Sequence, residues 1–265
     1  MTLHHAALQA ALEASGHQCV LETFDQLPST SEYLAQVPLA SAANGGNDAY
    51  IVACDWQTQG NGRRGKTWDT APGNITFSVR TVAPVEPAKL MGLSLVTGVS
   101  VAQALSDVCE LDVQLKWPND VIVQDRKLCG LLTEVQSKQG SDASTVITGI
   151  GINTLESDAV KAMGIGGVSL QEVLSEPPQR EQIIAAVVGA LITNYQHFYQ
   201  QGWPAFSAQW ASRDYLLGKT VTLHGEQEQQ AIVQGIDDQG ALLVSDKNNS
   251  ETRAVFSGEV SVRIN

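Results

Sequence analysis

The stretch Gly60-Asn61-Gly62-Arg63-Arg64-Gly65-Lys66-Thr67 most restricts what this chain can fold into. Its letters satisfy G-x-x-x-x-G-K-[ST], the loop in which backbone N–H groups cradle phosphates and a lysine reaches the terminal ones. Such a loop works between a strand and a helix, because the helix N-terminus supplies part of the anion site. A β-rich strand, Ala49 to Cys54, does precede it. The segment after it does not read as a helix: Trp68 to Asn74 carries the pair Pro72-Gly73 and then opens the alternating run Ile75, Phe77, Val79. The expected unit is therefore strand, cationic loop, strand, and a phosphate-loop NTPase is disfavoured. The loop's glycines and cations still call for an anion.

Charge sharpens that expectation. Sixteen Lys and Arg stand against 28 Asp and Glu, a formal net charge of −12. A broad basic face for nucleic acid is therefore not expected. Yet Arg63, Arg64, Lys66, Lys116, Arg126 and Lys127 concentrate in three short segments. If those segments meet, they form one focused anion site. The cysteines Cys19, Cys54, Cys109 and Cys129 make no C-x-x-C pair and read as buried reduced thiols. The histidines are scattered, so a zinc site is not expected. No signal peptide and no apolar run of about 18 residues is present, which points to a cytoplasmic protein that does not enter a membrane.

Along the chain, residues 2–14 suit a helix ended by Gly16, and Gln18 to Phe24 a strand. Ser29 and Glu32 have capping-box spacing, so Ser29 is expected to cap a helix carrying Tyr33 and Leu34 inward. The Asn44-Gly45-Gly46-Asn47 loop separates it from the strand ending at Cys54. A strand over Asn74–Arg80 precedes one long buried helix from Pro87 to about Val108. Strands are expected at Val113–Trp117, Val121–Val123, Lys127–Glu134 and Thr145–Asn153, the last with Gly149 and Gly151 permitting close backbone approach. Residues 154–168 read as a loop, Ser169 starts a short helix, Gln179–Gln200 is a long helix, and Phe206–Tyr215 adds a turn or two. Beyond Gly218, five short strands predict a small β-barrel. At 265 residues the chain accommodates a large domain, 1–217, and a small one, 218–265.

Taken singly, each polar segment has a plain reading: Ser29 as a cap, Lys116-Trp117-Pro118-Asn119-Asp120 as a turn, Lys127 as a hairpin lysine. The ordered set does not. Ser29-Thr30-Ser31, then Gln57 with the glycine loop, then Lys116 to Asp120, then Lys127-Leu128-Cys129-Gly130, then Gly149-Ile150-Gly151-Ile152-Asn153, resembles the catalytic region of bacterial biotin–protein ligases. The likeness runs from about residue 20 to the end, including the Gly258-Glu259-Val260 segment. It implies an α+β fold: a mixed β-sheet flanked by helices, of the class II synthetase-like biotin/lipoate ligase type, with a small C-terminal SH3-like β-barrel.

The resemblance implies a two-step reaction in which biotin and MgATP give biotinyl-5′-adenylate, and the biotinyl group then passes to a lysine of a biotin carboxyl carrier domain. It assigns Arg63 and Lys127 to the biotin carboxylate and the α-phosphate. Ser29, Thr30 and Gln57 are assigned to the ureido end, and Ser31, Gly60, Asn61 and Gly62 to the remainder of the biotin site. Arg64, Lys66, Trp68, Lys116, Asn119, Asn153 and Arg263 are implied as nucleotide contacts, and Asp120 as a member of the Mg2+ coordination sphere. The loop is expected to be mobile when empty and to fold over the adenylate. Two departures stand out: Asn61 where the family has arginine, and Gly166-Gly167-Val168-Ser169-Leu170 without the tryptophan some relatives carry. Only 28 residues precede Ser29, so no DNA-binding domain is expected. The partners expected are biotin, ATP and a carrier domain, with a homodimer left open. Rival readings are a lipoate- or octanoate–protein ligase and a non-catalytic biotin-binding regulatory module.

Overall fold

A computed structural model describes residues 3–38, 48–69, 71–137, 142–163, 166–224, 228–246, 249–257 and 261–264. Seven strands form the main sheet: β1 (Cys19–Leu27), β2 (Ala49–Gln57), β3 (Ile75–Ala83), β4 (Gln114–Lys116), β5 (Asp120–Val123), β6 (Arg126–Ser137) and β7 (Ser144–Ile152). Their order is β1-β2-β3-β7-β6-β5-β4. β1 and β2 run parallel and every other neighbouring pair is antiparallel, so the sheet is mixed as expected.

The period-2 alternation of a strand decides which residues face which layer. Thr148 of β7 faces the helical layer, where its hydroxyl meets the Tyr195 hydroxyl at 2.8 Å, and Thr97 reaches the same oxygen at 2.7 Å. That layer is built from α1 (His5–Ala14), α3 (Leu93–Cys109) and α6 (Arg180–Gln201). α3 is apolar around most of its circumference, which suits a helix enclosed between the sheet and α6. Gly149, one residue on from Thr148, faces the opposite side. There α2 (Thr30–Gln36) packs on β2, β3 and β7.

The long helix expected from Pro87 is broken. A 3-10 turn, Pro87–Leu90, precedes α3, and the chain turns at Gly92 with φ 85°. A Cβ there would stand 2.8 Å from the Trp203 side chain, so the left-handed turn and the close approach both require glycine. Within the stretch expected to be loop, α4 (Asp158–Lys161) forms a turn capped by the Ser157 hydroxyl, and α5 (Leu170–Val173) follows Ser169 with a capping box to Glu172. α7 (Ser207–Ala211) leads out of the domain. The thiols of Cys54, Cys109 and Cys129 are buried, and all four cysteines are free.

The C-terminal strands β8 (Thr220–His224), β9 (Glu228–Ile236), β10 (Leu242–Asp246), β11 (Asn249–Val255) and β12 (Ser261–Ile264) form an antiparallel sheet in the order β11-β10-β9-β8-β12. Its pairings among the described residues form a five-stranded antiparallel unit with β11 and β12 at the ends of the order, in keeping with the small C-terminal β-domain expected. Two buried indoles fasten it to the main domain: Trp117 donates to the Gly240 carbonyl at 3.1 Å and Trp203 to the Asp237 carbonyl at 2.8 Å. The Asn44–Asn47 loop and the Gly258-Glu259-Val260 segment lie outside the described residues. Among the described residues no helix is long and apolar enough to cross a membrane.

Candidate active site

On the α2 side of the sheet a cavity of about 230 Å³ runs from the start of α2, under the glycine loop, to the β4–β5 turn and the Val262 backbone region. Its two ends differ in chemistry.

The α2 end is neutral and hydrogen-bonded. The Ser29 hydroxyl accepts from the Glu32 N–H at 3.4 Å and caps the helix, as the spacing predicted. The Thr30 N–H donates to Gln57 Oε1 at 2.8 Å, and the Thr30 hydroxyl donates to the same oxygen at 3.0 Å. Below them Ser78, on β3, holds the Thr30 hydroxyl at 2.7 Å and the Ser31 hydroxyl at 2.9 Å. Gly149 makes room for this arrangement, since a Cβ there would stand 2.7 Å from Ser31 Oγ.

The middle is a wall of indole laid on glycine. Gly130 of β6 pairs with Gly151 of β7, and the Trp68 ring lies over both. A Cβ on Gly151 would come within 2.2 Å of the ring nitrogen, and one on Gly130 within 2.5 Å of Cζ3. The loop is closed back on itself to deliver that ring. The Trp68 N–H donates to the Gly60 carbonyl at 2.7 Å, and the Gly62 N–H donates to the Lys66 carbonyl at 2.7 Å. Arg64 and Gly65 turn in the left-handed region, with φ 58° and 69°. Among the described residues no helix follows the loop: its 3-10 turn, Arg63–Gly65, lies within it, and the chain after Thr67 leads into β3, which explains why the letters of that motif mislead.

The far end is cationic. Lys127 Nζ lies 2.5 Å from Asp120 Oδ1 and 5.2 Å from the centre of a Trp68 ring. Lys116, 7% exposed, donates to the Val262 carbonyl at 3.1 Å and stands 3.9 Å from Asp120 Oδ2. Arg63 donates to the Ser257 carbonyl at 2.8 Å and to Asn119 Oδ1 at 3.4 Å, and Arg64 also reaches Ser257. Burial lowers the Lys116 pKa; Asp120 opposes the shift, and Lys127, Lys66 and Arg263 deepen it. Burial likewise lowers that of Arg63, with Arg64 adding to the effect. Asp120 is the one carboxylate among the described lining residues, set against Arg63, Arg64, Lys66, Lys116 and Lys127. Lys116 and Arg63, poorly solvated and crowded by the other cations, favour an incoming anion.

The three cationic segments read from the sequence do meet, except that Arg126 pairs with Glu172 at 2.8 Å away from the cavity. Of the other residues singled out, three do not line it. Gly60 is buried beneath Trp68, where a Cβ would strike the Trp68 carbonyl at 2.4 Å. Asn153, 1% exposed, donates to the Lys127 carbonyl at 3.1 Å and so supports the strand that carries the lysine. Arg263 is exposed on β12, near enough to Lys116 to affect its protonation. Asn61 directs its amide away from the cationic end, to Glu32 Oε1 at 2.7 Å. Ser78 and the Ser257 and Val262 carbonyls were not foreseen. Ser78 had a signal: Thr76, Ser78 and Arg80 alternate on one face of a buried strand that an ordinary core would make apolar. The backbone carbonyls had none.

Fold and site together define an enzyme of the ligase class. Residues 23–153 match the Biotin/lipoate A/B protein ligase family, and residues 216–263 match the Biotin protein ligase C terminal domain. The Bifunctional ligase/repressor BirA of Salmonella typhimurium is 33% identical over 94% of this chain and 75% of its own length. The Biotin–[acetyl-CoA-carboxylase] ligase of Mycobacterium tuberculosis is 30% identical over 84% of this chain and 82% of its own. The structure of the biotin protein ligase from Aquifex aeolicus in complex with biotin and ATP superimposes with a TM-score of 0.77 at 28% identity, covering 93% of this chain and 99% of that one. The chain belongs to the biotin protein ligase family.

Proposed function

We propose that this protein activates biotin with MgATP, releasing pyrophosphate, and transfers the biotinyl group from the adenylate to a lysine of a biotin carboxyl carrier domain, that of acetyl-CoA carboxylase being the expected acceptor. The observation that carries the reading is the cavity's polarity. A cyclic urea finds hydroxyls and an amide at the α2 end, and a carboxylate at the other end of the same molecule finds Lys127 and Arg63. The Trp68 indole between them gives an apolar ring and chain a surface to lie on.

In the first step a biotin carboxylate oxygen attacks the α-phosphorus and the bond to pyrophosphate breaks. Two anions must approach each other, so the cations at the meeting point lower the barrier. Lys127 holds the carboxylate, and Arg63 the α-phosphate. In the second step the acceptor amine attacks the acyl carbon, AMP leaves, and the amine loses a proton. The glycine loop, with Trp68, keeps water from the adenylate in between.

Magnesium fits as an ion that arrives with the nucleotide. Asp120 is the single carboxylate among the described lining residues and both its oxygens face lysines, and the described residues hold no cluster of metal-ligating side chains. An ion bound mainly by phosphates and water needs no more protein than that. When bound, it supplies charge neutralisation at the phosphates.

The same residues weigh against lipoate or octanoate, whose dithiolane or alkyl ends would leave the hydroxyls and the Gln57 amide unpaired in a buried site. We assign the ligase chemistry to residues 1–217 and a docking and site-completing role to 218–265. The free buried thiols support a reducing, cytoplasmic setting. Acid-dependent exchange of pyrophosphate into ATP tests the reading. Biotin should support exchange, and lipoate and octanoate should not. Lys127→Ala should lower biotin-dependent exchange by roughly 100-fold or more. Exchange with lipoate in place of biotin would sink the assignment, and no exchange with any acid would favour a binding module.

A further inference from the structure

The hydrogen bonds beneath α2 have only one consistent proton order, and it passes through Ser78. The Thr30 backbone N–H can only donate, so the Gln57 atom it meets at 2.8 Å is the amide oxygen. That oxygen can only accept, so the Thr30 hydroxyl, 3.0 Å away, spends its proton there. The 2.7 Å contact between Thr30 and Ser78 then requires Ser78 to donate. With the Ser78 proton committed, the 2.9 Å contact between Ser31 and Ser78 requires Ser31 to donate. Thr30 and Ser31 therefore have only lone pairs left for a ligand. Gln57 has its Nε2 protons left, and Ser29, which accepts from the Glu32 N–H, has its hydroxyl proton left.

We propose that Ser78, wholly buried beneath the cavity wall, is a positioning and specificity-determining residue that holds Thr30 and Ser31 as acceptors, so that the cavity accepts a cyclic urea and rejects analogues lacking a ring N–H. This rests on the biotin reading above and deepens it. The chain of hydroxyls ends on two acceptors, Thr30 and Ser31, and two donors, Ser29 and Gln57. A cyclic urea presents the complement: two N–H groups and one carbonyl. A ring oxygen in place of an N–H would bring lone pair against lone pair, and the hydroxyls could not turn to relieve it while Ser78 fixes them. Discrimination of this kind is large where the buried partner is left unpaired. Ser78 is 0% exposed and lies outside the lining of the cavity, so its effect on the ligand passes through Thr30 and Ser31.

The test is calorimetric titration of wild-type protein and Ser78→Ala with biotin and with the cyclic carbamate analogue in which oxygen replaces one ring N–H. It is paired with steady-state exchange kinetics and a thermal melt. Removing the Ser78 hydroxyl frees the Ser31 proton to turn toward the ligand. Biotin affinity should fall roughly tenfold and the preference for biotin over the carbamate should shrink at least about fivefold. KM for ATP and kcat should stay within about twofold. Equal losses in kcat and both KM values, with the preference intact, would mean a merely structural serine and overturn the proposal. So would a variant that binds both ligands as the wild type does. Wild-type protein that binds no biotin overturns this inference together with the proposed function. Wild-type protein that binds biotin with the stated preference, but exchanges no pyrophosphate, supports the inference and defeats only the catalytic reading.

Discussion

Gly151→Ala isolates the part of the site that rests on steric fit alone. The new methyl would stand 2.2 Å from Trp68 Nε1, 2.3 Å from Cε2 and 2.7 Å from Cζ2. Carbon atoms in ordinary contact sit at about 3.5–4.0 Å, so the ring must withdraw from the sheet by roughly 1–1.5 Å. Neighbouring Gly130 offers no relief, because the same ring covers it too. The displacement goes toward the cavity, and it carries the loop with it through the bond from the Trp68 N–H to the Gly60 carbonyl. It also disturbs the position of Lys127 above the ring. If the ring stays and the core strains, the overpacking costs about 1–3 kcal/mol, and at roughly 2–4 °C per kcal/mol the melting temperature falls by about 2–12 °C. The functional cost is larger, because a misplacement of about 1 Å in reacting groups is worth about 100-fold in rate. Biotin-dependent pyrophosphate exchange should therefore lose roughly 100-fold in kcat/KM while the protein remains folded. Adding Trp68→Ala should restore the melting temperature without restoring exchange. The matched control is Gly189→Ala in α6, where the nearest atom lies at 3.7 Å. That change should stabilise the helix by up to about 1 kcal/mol and leave exchange as it was. Wild-type kinetics from Gly151→Ala would refute the placement of the indole.

Alkaline pH and protease sensitivity probe the cationic end and the loop separately. Burial lowers the Lys116 pKa below the ordinary lysine value of 10.5, so on raising the pH the folded protein releases this proton before the unfolded chain does. The unfolded chain then binds more protons, so Lys116's contribution to stability rises with pH in that window while the site loses positive charge. Exchange activity should accordingly decline on the alkaline side without a matching decline in melting temperature from this group, and Lys116→Arg should move that decline to higher pH. Limited proteolysis within residues 58–68 should be slowed by biotin with ATP, since the adenylate fills the space beneath the loop; equal cleavage with and without them would count against closure.

Much of the fold was legible because local rules and the global structure agree. Alternation in Ile75, Phe77 and Val79 predicted β3, and the paired glycines of β7 predicted close approach, which Trp68 and Ser31 now supply. Where the reading missed, a distant partner had decided the outcome. The helix expected from Pro87 breaks because Trp203, more than a hundred residues away in sequence, fills the space at Gly92. Asn153, expected to contact the nucleotide, gives its amide nitrogen to the backbone of the adjacent strand, while its buried Oδ1 meets no partner among the described residues. Trp117, which lines the cavity, also gives its N–H to Gly240 and ties the two sheets together. Asn61, the departure from the family's loop, gives its side chain to Glu32, so its replacement of arginine is felt at the α2 end rather than among the cations.

The backbone carbonyls of the C-terminal segment answer a question the sequence leaves open: how Lys116, Arg63 and Lys127 are kept together with Asp120 as the one carboxylate among the described lining residues. An unpaired buried charge is expensive, and Asp120 alone does not satisfy Lys127, Lys116 and Arg63. Ser257 and Val262 supply neutral acceptors to Arg63 and Lys116 at 2.8 and 3.1 Å. A carbonyl is a weaker partner for a guanidinium or an ammonium than a carboxylate or phosphate is. It can therefore hold each cation in place and still yield to a substrate oxygen. On this account the second sheet is part of the site's preorganisation: it fixes where the positive charge stands before the substrates arrive, which is the condition for that charge to lower a barrier rather than to reorganise during the reaction.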